Sequence, residues 1–168
     1  TDMSEQTFRD VYLPPFKATV DAGVGSFMTS FNSLNGVPST ANPYLWKTIL
    51  EGEWKSKALV VTDYNATKEL LNHAVAADEA EAALKTLNAG VDLEMVSKSI
   101  NQNGEKLLKE GKLSIAIIDD AVRSVLRAKF RSGAFDWKMV DENKEKAAML
   151  TAENRQTARE IATKSMVL

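Results

Sequence analysis

The chain contains no cysteine, which excludes a disulfide framework, a thiol nucleophile and any Cys-based metal site. Histidine is nearly as scarce: His73 stands alone, too little to build an imidazole metal cluster, and no other metal-ligand spacing is present. No apolar run approaches the ~18 residues of a membrane span. Neither charge sign dominates. The 21 Lys and Arg residues face 23 Asp and Glu, for a net charge of −2. With no basic stripe either, nucleic acid is excluded as a partner, and nothing points to a membrane. No repeat at a fixed period and no low-complexity tract is visible. Thr1-Asp2-Met3-Ser4-Glu5 lacks the shape of a signal peptide. The absence of an initiator Met suggests a processed or excised piece.

What remains is a chain of 168 residues, 44% hydrophobic and 26% charged, enough for one domain with a real core. Its most informative stretch is Ala58-Leu59-Val60-Val61-Thr62-Asp63-Tyr64. A β-branched apolar run of this kind suits a parallel strand buried on both faces. The run stops on a carboxylate with an aromatic after it. Two readings of Asp63 are open: a functional acid at the end of a strand, where barrel enzymes keep their chemistry, or an N-cap for the next helix.

Around this strand the pattern alternates. Asp2 to Ala22 reads as helix, with Asp2 and Glu5 spaced as a capping box, interrupted at Pro14-Pro15 and restarting at Pro15, with Gly23 at its end. Val24 to Phe31 reads as a strand, residues 32–38 as a turn-rich ordered loop, and Pro43 to Glu51 as a short helix closed by Gly52. After the strand at Asp63, Asn65 to His73 is helical. Asp78 with Glu81 opens a helix that Gly90 closes, and Val91 to Met95 is a third strand. Gln102 to Glu110 forms a helix. Ser114 caps a long amphipathic one carrying Ile117, Ile118, Ala121, Val122, Val125, Leu126 and Phe130. Residues 136–150 read as an irregular linker, and Thr151 caps a last helix through Thr163. Strands alternating with helices predict right-handed βαβ units on a parallel sheet. Three strands are part of an eight-stranded (β/α)8 TIM-like barrel, which needs ~250 residues.

Several segments, taken in order, resemble glycoside hydrolase family 3 β-glucosidases. They are Tyr12-Leu13-Pro14-Pro15-Phe16, Met28-Thr29-Ser30-Phe31-Asn32, Asn35-Gly36-Val37-Pro38, Glu53-Trp54 and Val60-Val61-Thr62-Asp63-Tyr64. Further along stand His73, Ala77-Asp78, Ala89-Gly90-Val91-Asp92, Arg127-Ala128-Lys129-Phe130, Gly133 and Phe135-Asp136. The resemblance implies that residues 1–135 are the C-terminal half of the catalytic barrel, carrying its sixth to eighth strands. Residues 136–168 would be the linker and cut-short start of a second domain. It implies a retaining exo-β-glucosidase that removes terminal β-linked glucose from glucosides or oligosaccharides through a covalent glycosyl-enzyme, with no metal or organic cofactor. Asp63 matches the nucleophile, Met28 and Phe31 match sugar-site residues, and Tyr64 matches an aromatic wall near the leaving group. The family's other substrate contacts precede residue 1 and its acid/base follows residue 168. The partner implied is therefore the remainder of the enzyme or a second copy of the chain. Composition leaves the compartment open; the family implies the periplasm or secretion.

The chain departs from the family pattern in two places. Where the family has Gly-Phe, a charged residue and Gly after the tryptophan, this chain has Lys55-Ser56-Lys57-Ala58. After Asp63 it has Tyr64-Asn65 in place of Trp-Gly. Two alternative functions remain: a non-catalytic half-barrel that assembles or binds sugar weakly, and an N-acetylglucosaminidase of the same family. Asp92 and Glu94, two apart on the third strand, share a face. They are either an acid partner for Asp63 or, as favoured here, ligands of backbone and cationic groups. His73 reads as a helix cap or packed imidazole, Trp46 and Trp54 as packing residues, Trp137 as an open question, and Asp141 to Lys146 as solvated surface.

Overall fold

The computed structural model describes residues 1–136 and 138–167, with the Lys146 side chain outside the description; Trp137 and Leu168 lie outside it as well. Two compact units emerge, Thr1–Ala134 and Phe135–Leu168.

The first unit opens with α1 (Glu5–Thr7), a π-helical stretch (Phe8–Tyr12) and α2 (Leu13–Asp21). The cap is Ser4, whose hydroxyl accepts from Thr7 N–H at 3.1 Å, rather than the Asp2–Glu5 box expected from spacing. Nor does the helix break at the prolines. The wider π turn, in which Leu13 N–H donates to the Phe8 carbonyl, lies directly before Pro14-Pro15. Proline has no N–H and crowds the carbonyl four residues back, and a locally wider turn relieves both. Arg9 then ties this start to a later helix, donating to both Glu53 carboxylate oxygens at 2.8 Å and to the Tyr44 hydroxyl.

Strand β1 (Ser26–Met28) is shorter than the Val24–Phe31 run. The loop beyond it contains a small hairpin, β2 (Ser33–Leu34) against β3 (Val37–Pro38). Its turn residues Asn35 and Gly36 both have positive φ, 49° and 82°, the conformation that Asn-Gly favours. A 3-10 turn (Ser39–Ala41) and a π-helix (Tyr44–Glu53) lead to β4 (Leu59–Tyr64). Gly52 does not stop that helix. It lies inside it, where a Cβ would stand 3.0 Å from the Lys47 carbonyl oxygen.

Helices α3 (Ala66–Asn72) and α4 (Glu79–Ala89) precede β5 (Leu93–Met95). Asp78 caps α4 by accepting from Glu81 N–H at 2.8 Å, and Gly90 ends it at φ 94°, as the sequence implied. Helix α5 (Ser99–Lys109) starts three residues before the expected Gln102, and α6 (Ile115–Arg131) is capped by Ser114. The sheet is wholly parallel in the order β1-β4-β5, so the chain is α/β with each new strand added on the same side. Helices cover one face. Val60 packs with Leu50 and Val91 against Trp46, Trp54 and Phe27. Leu87, Ala83, Leu107 and Leu113 join α4, α5 and α6.

The second unit holds α7 (Asn143–Ala148), inside the stretch expected to be irregular, and α8 (Ala152–Lys164), capped by Thr151. Lys, Glu and Ala are good helix formers, and they outweigh the lack of an apolar face in 143–148. Residues 141–145 are exposed, as a solvated charge run should be.

Candidate active site

Burial alternates along β4. Val60 and Thr62 are buried against the helices, while Leu59, Val61 and Asp63 are half-buried on the opposite face, as period-two geometry requires. Val61 is in register with Met28 on one side and Leu93 on the other. Within this unit, the face opposite those helices therefore carries Met28, Val61, Leu93 and, at its carboxyl end, Asp63. Met28 is 51% exposed there.

Asp63 is not a helix cap. The residue at the start of α3 is Asn65, in the left-handed region at φ 60°, and its side chain makes no capping bond. The Asp63 carboxylate instead accepts from Tyr64 N–H at 2.6 Å. Its own N–H donates to Thr29 Oγ1 at 3.4 Å, and that hydroxyl pairs with Thr40 Oγ1 at 2.8 Å. On the other flank, Thr62 Oγ1 accepts from Met95 N–H at 2.8 Å, and the Met95 carbonyl accepts from Asn65 N–H at 2.9 Å. Between the registered pairs Val61–Leu93 and Tyr64–Met95 the ladder is irregular, so Thr62 and Asp63 face Glu94 alone. Bulges of this kind re-aim side chains beside active sites. These threonines escaped the sequence reading, although a hydroxyl at the end of an apolar strand is a visible signal.

Tyr64 is 62% exposed at the end of β4, and Phe31 is 45% exposed in the loop after β1. Among the described residues no ring contact joins them. The chain thus brings Met28 and Asp63 onto one face and leaves the two aromatics open at the same end of the sheet.

The third strand begins at Leu93, so Asp92 lies just before it rather than two residues from Glu94 along it, and both acids have other work. Asp92 accepts from Val60 N–H at 2.9 Å. Burial pushes its carboxyl up to about 6; the Val60 N–H and Ser124 hydroxyl lower it, Glu51 raises it and Arg127 lowers it. Glu94 accepts from Ile100 N–H at 2.8 Å and Asn101 N–H at 3.3 Å, binding the start of α5. Burial raises its pKa against those bonds. Both are backbone ligands, as favoured above. His73 forms the exposed C-cap of α3. Trp46 packs and donates from Nε1 to the Ser39 carbonyl at 2.7 Å, and Trp54 packs in two clusters. Among the described residues no group of three His, Asp or Glu side chains is placed to hold a metal. A single carboxylate on an open face can attack an electrophilic carbon, and it needs a separate acid to protonate what leaves.

Residues 1–128 match the family model described as the glycosyl hydrolase family 3 N terminal domain. Over 99% of its length the chain is 40% identical to a periplasmic β-glucosidase of Salmonella typhimurium, covering 22% of that protein. It is 38% identical over its whole length to a β-xylosidase of Formosa agariphila, covering 24% of it. A β-glucosidase from Listeria innocua, solved with glucose, superposes with a TM-score of 0.88 at 35% identity, over 95% of this chain and 22% of that one. A mutant form of it was solved with laminaribiose. The chain therefore spans about a fifth of the length of the relatives it matches. No helix among the described residues is long and apolar enough to cross a membrane.

Proposed function

The chain belongs to glycosyl hydrolase family 3, and its fold is part of that family's barrel; we propose that its chemistry is glycoside hydrolysis and that it supplies the nucleophile of a retaining exo-β-glucosidase. The observation that carries the reading is the place of Asp63: the carboxyl end of the middle strand, on the face opposite the helices of this unit, beside Met28.

The mechanism follows from that position. A terminal β-glucosyl unit sits against Met28 and Phe31, with its aglycone towards Tyr64. An Asp63 carboxylate oxygen attacks the anomeric carbon while an acid from beyond this chain protonates the leaving oxygen. The two carboxyl groups of retaining enzymes stand ~5 Å apart. The same outside group then takes a proton from water, which attacks the glycosyl-enzyme, frees the sugar and restores Asp63. The N–H of Tyr64 donates to one carboxylate oxygen and holds its orientation. In this reading residues 1–135 are the C-terminal half of the barrel, residues 136–168 the linker and start of a second domain, and the partner is the remainder of the enzyme or a second copy of the chain. The Salmonella relative supports a periplasmic or secreted location.

The 38% identical β-xylosidase supports a second reading of the substrate, xylose in place of glucose. In the complete enzyme, Asp63→Ala should lose activity on an aryl β-glucoside by about 1,000-fold or more, equivalent to ~4 kcal/mol of barrier. Azide should restore part of it with inversion at the anomeric carbon. Parallel assay of the aryl β-xyloside decides between the two sugars, and near-normal turnover in Asp63→Ala ends the nucleophile reading.

A further inference from the structure

We propose that Thr62 and Thr29 are positioning residues that aim Asp63 by replacing sheet carbonyls with side-chain hydroxyls on both flanks of β4; the inference rests on Asp63 being the nucleophile.

In a parallel ladder each strand N–H donates to a carbonyl of its neighbour. At the end of β4 this rule fails twice. Strand β1 stops at Met28, and the Asp63 N–H goes to the Thr29 hydroxyl instead. On the far side the Met95 N–H goes to the Thr62 hydroxyl. The Thr29 hydroxyl is not free to swing. Thr29 is anchored by its own N–H, which donates to the Val61 carbonyl at 2.9 Å, and its Oγ1 is held by Thr40. Thr29, Thr40 and Thr62 are 1%, 2% and 0% exposed, so water cannot substitute for any of them.

A hydroxyl extends beyond its backbone, so these bonds let β4 leave the regular ladder while the Asp63 and Met95 N–H groups stay paired. The outcome is the bulge that sets Thr62 and Asp63 against Glu94 alone. The Asn65 N–H closes it on the Met95 carbonyl, after which Val96 turns sharply at φ 68° while Ser97 N–H returns to the same carbonyl at 2.8 Å. A β-branched residue at positive φ is unusual, and here it fixes that doubly used acceptor. Asp63 is thus set between two hydroxyl-pinned strands.

The test uses the complete enzyme and a mechanism-based 2-fluoro glucoside, read as the rate of mass gain on the peptide containing Asp63. Thr62→Val keeps shape and removes the acceptor. It should slow trapping by about 10- to 100-fold with little change in KM, the scale of a small misplacement of the attacking atom. Thr62→Ser, which keeps the hydroxyl, should recover most of that rate. A Val variant that traps at the wild-type rate, or a Ser variant as slow as Val, overturns the proposal. If Thr62→Val does not fold, Thr40→Val removes the support of Thr29 without orphaning a backbone group. It should slow trapping about threefold or more on the same reasoning, and an unchanged rate overturns the proposal equally. Label on a residue other than Asp63 in the wild-type enzyme would instead overturn the nucleophile reading, and is seen before any variant is compared.

Discussion

Asp92 and Val60 hold each other twice. The Val60 N–H donates to Asp92 Oδ2 at 2.9 Å, and the Asp92 N–H donates to the Val60 carbonyl at 2.8 Å. The pair joins β4 to the segment entering β5 at the end of the sheet opposite Asp63, and Ser124 and Arg127 of α6 face the same carboxylate.

A pH dependence of stability follows. The folded pKa of Asp92 is about 6, above its ordinary value of 3.8, because burial penalises the charged form. Its contribution is therefore fully present below pH 3.8 and lost as pH rises through about 6. Glu94, raised for the same reason, acts in the same direction. Glu5, Glu53, Glu79, Glu81 and Glu110 are lowered by their cationic or hydroxyl partners and act oppositely, losing stabilisation only as pH falls below the ordinary carboxylate range. Melting temperature should rise between pH 7 and pH 5, and Asp92→Asn should reduce that rise. An unchanged slope in the variant would contradict the assignment.

Lys55 occupies the left-handed region at φ 53°, where a side chain costs roughly 1–2 kcal/mol and glycine little. Lys55→Gly should stabilise the protein by about 0.5–1 kcal/mol after glycine's greater chain entropy is subtracted. Denaturant midpoints measure it, and a loss of stability would mean that the Lys55 side chain makes a compensating contact.

Asn65 stands at φ 60° directly after the Asp63-Tyr64 pair, and asparagine tolerates that conformation where branched residues do not. Asn65→Gly should be nearly neutral. Asn65→Val should cost about 1–2 kcal/mol and disturb the bond from its N–H to Met95. Equal melting temperatures for the two variants would refute this.

Ser56 lines a cavity of about 400 Å³ with Trp46, Leu50, Ala58 and Leu87. The family's aromatic at this position would fill part of it. Ser56→Phe should add about 1 kcal/mol, the usual scale of cavity filling. A lower melting temperature would show that the polar groups on the same wall, Asp92 among them, do not tolerate the ring.

Much of this was legible in the sequence. The three strands, the caps at Asp78, Ser114 and Thr151, and Gly90 as a stop announce themselves by local chemistry that no tertiary contact overrides. Both departures from the family pattern, at Lys55 and Asn65, fall on positive-φ positions, which only the backbone reveals. The π-helical turns were invisible because they depend on close packing along the helix: the prolines crowd the turn after Tyr12, and only a residue without a Cβ fits at Gly52, where a Cβ would stand 3.0 Å from the Lys47 carbonyl. The threonine pins went unread because threonine in a strand is ordinary; only the register break between Val61 and Tyr64 gives them a role.

The most direct test of the central claim is to treat the complete enzyme with the 2-fluoro glucoside, digest it, and sequence the labelled peptide by mass spectrometry. The account predicts one added glycosyl mass, carried on Asp63 and absent in Asp63→Ala. Turnover without label on Asp63, or label on another carboxylate, would contradict it.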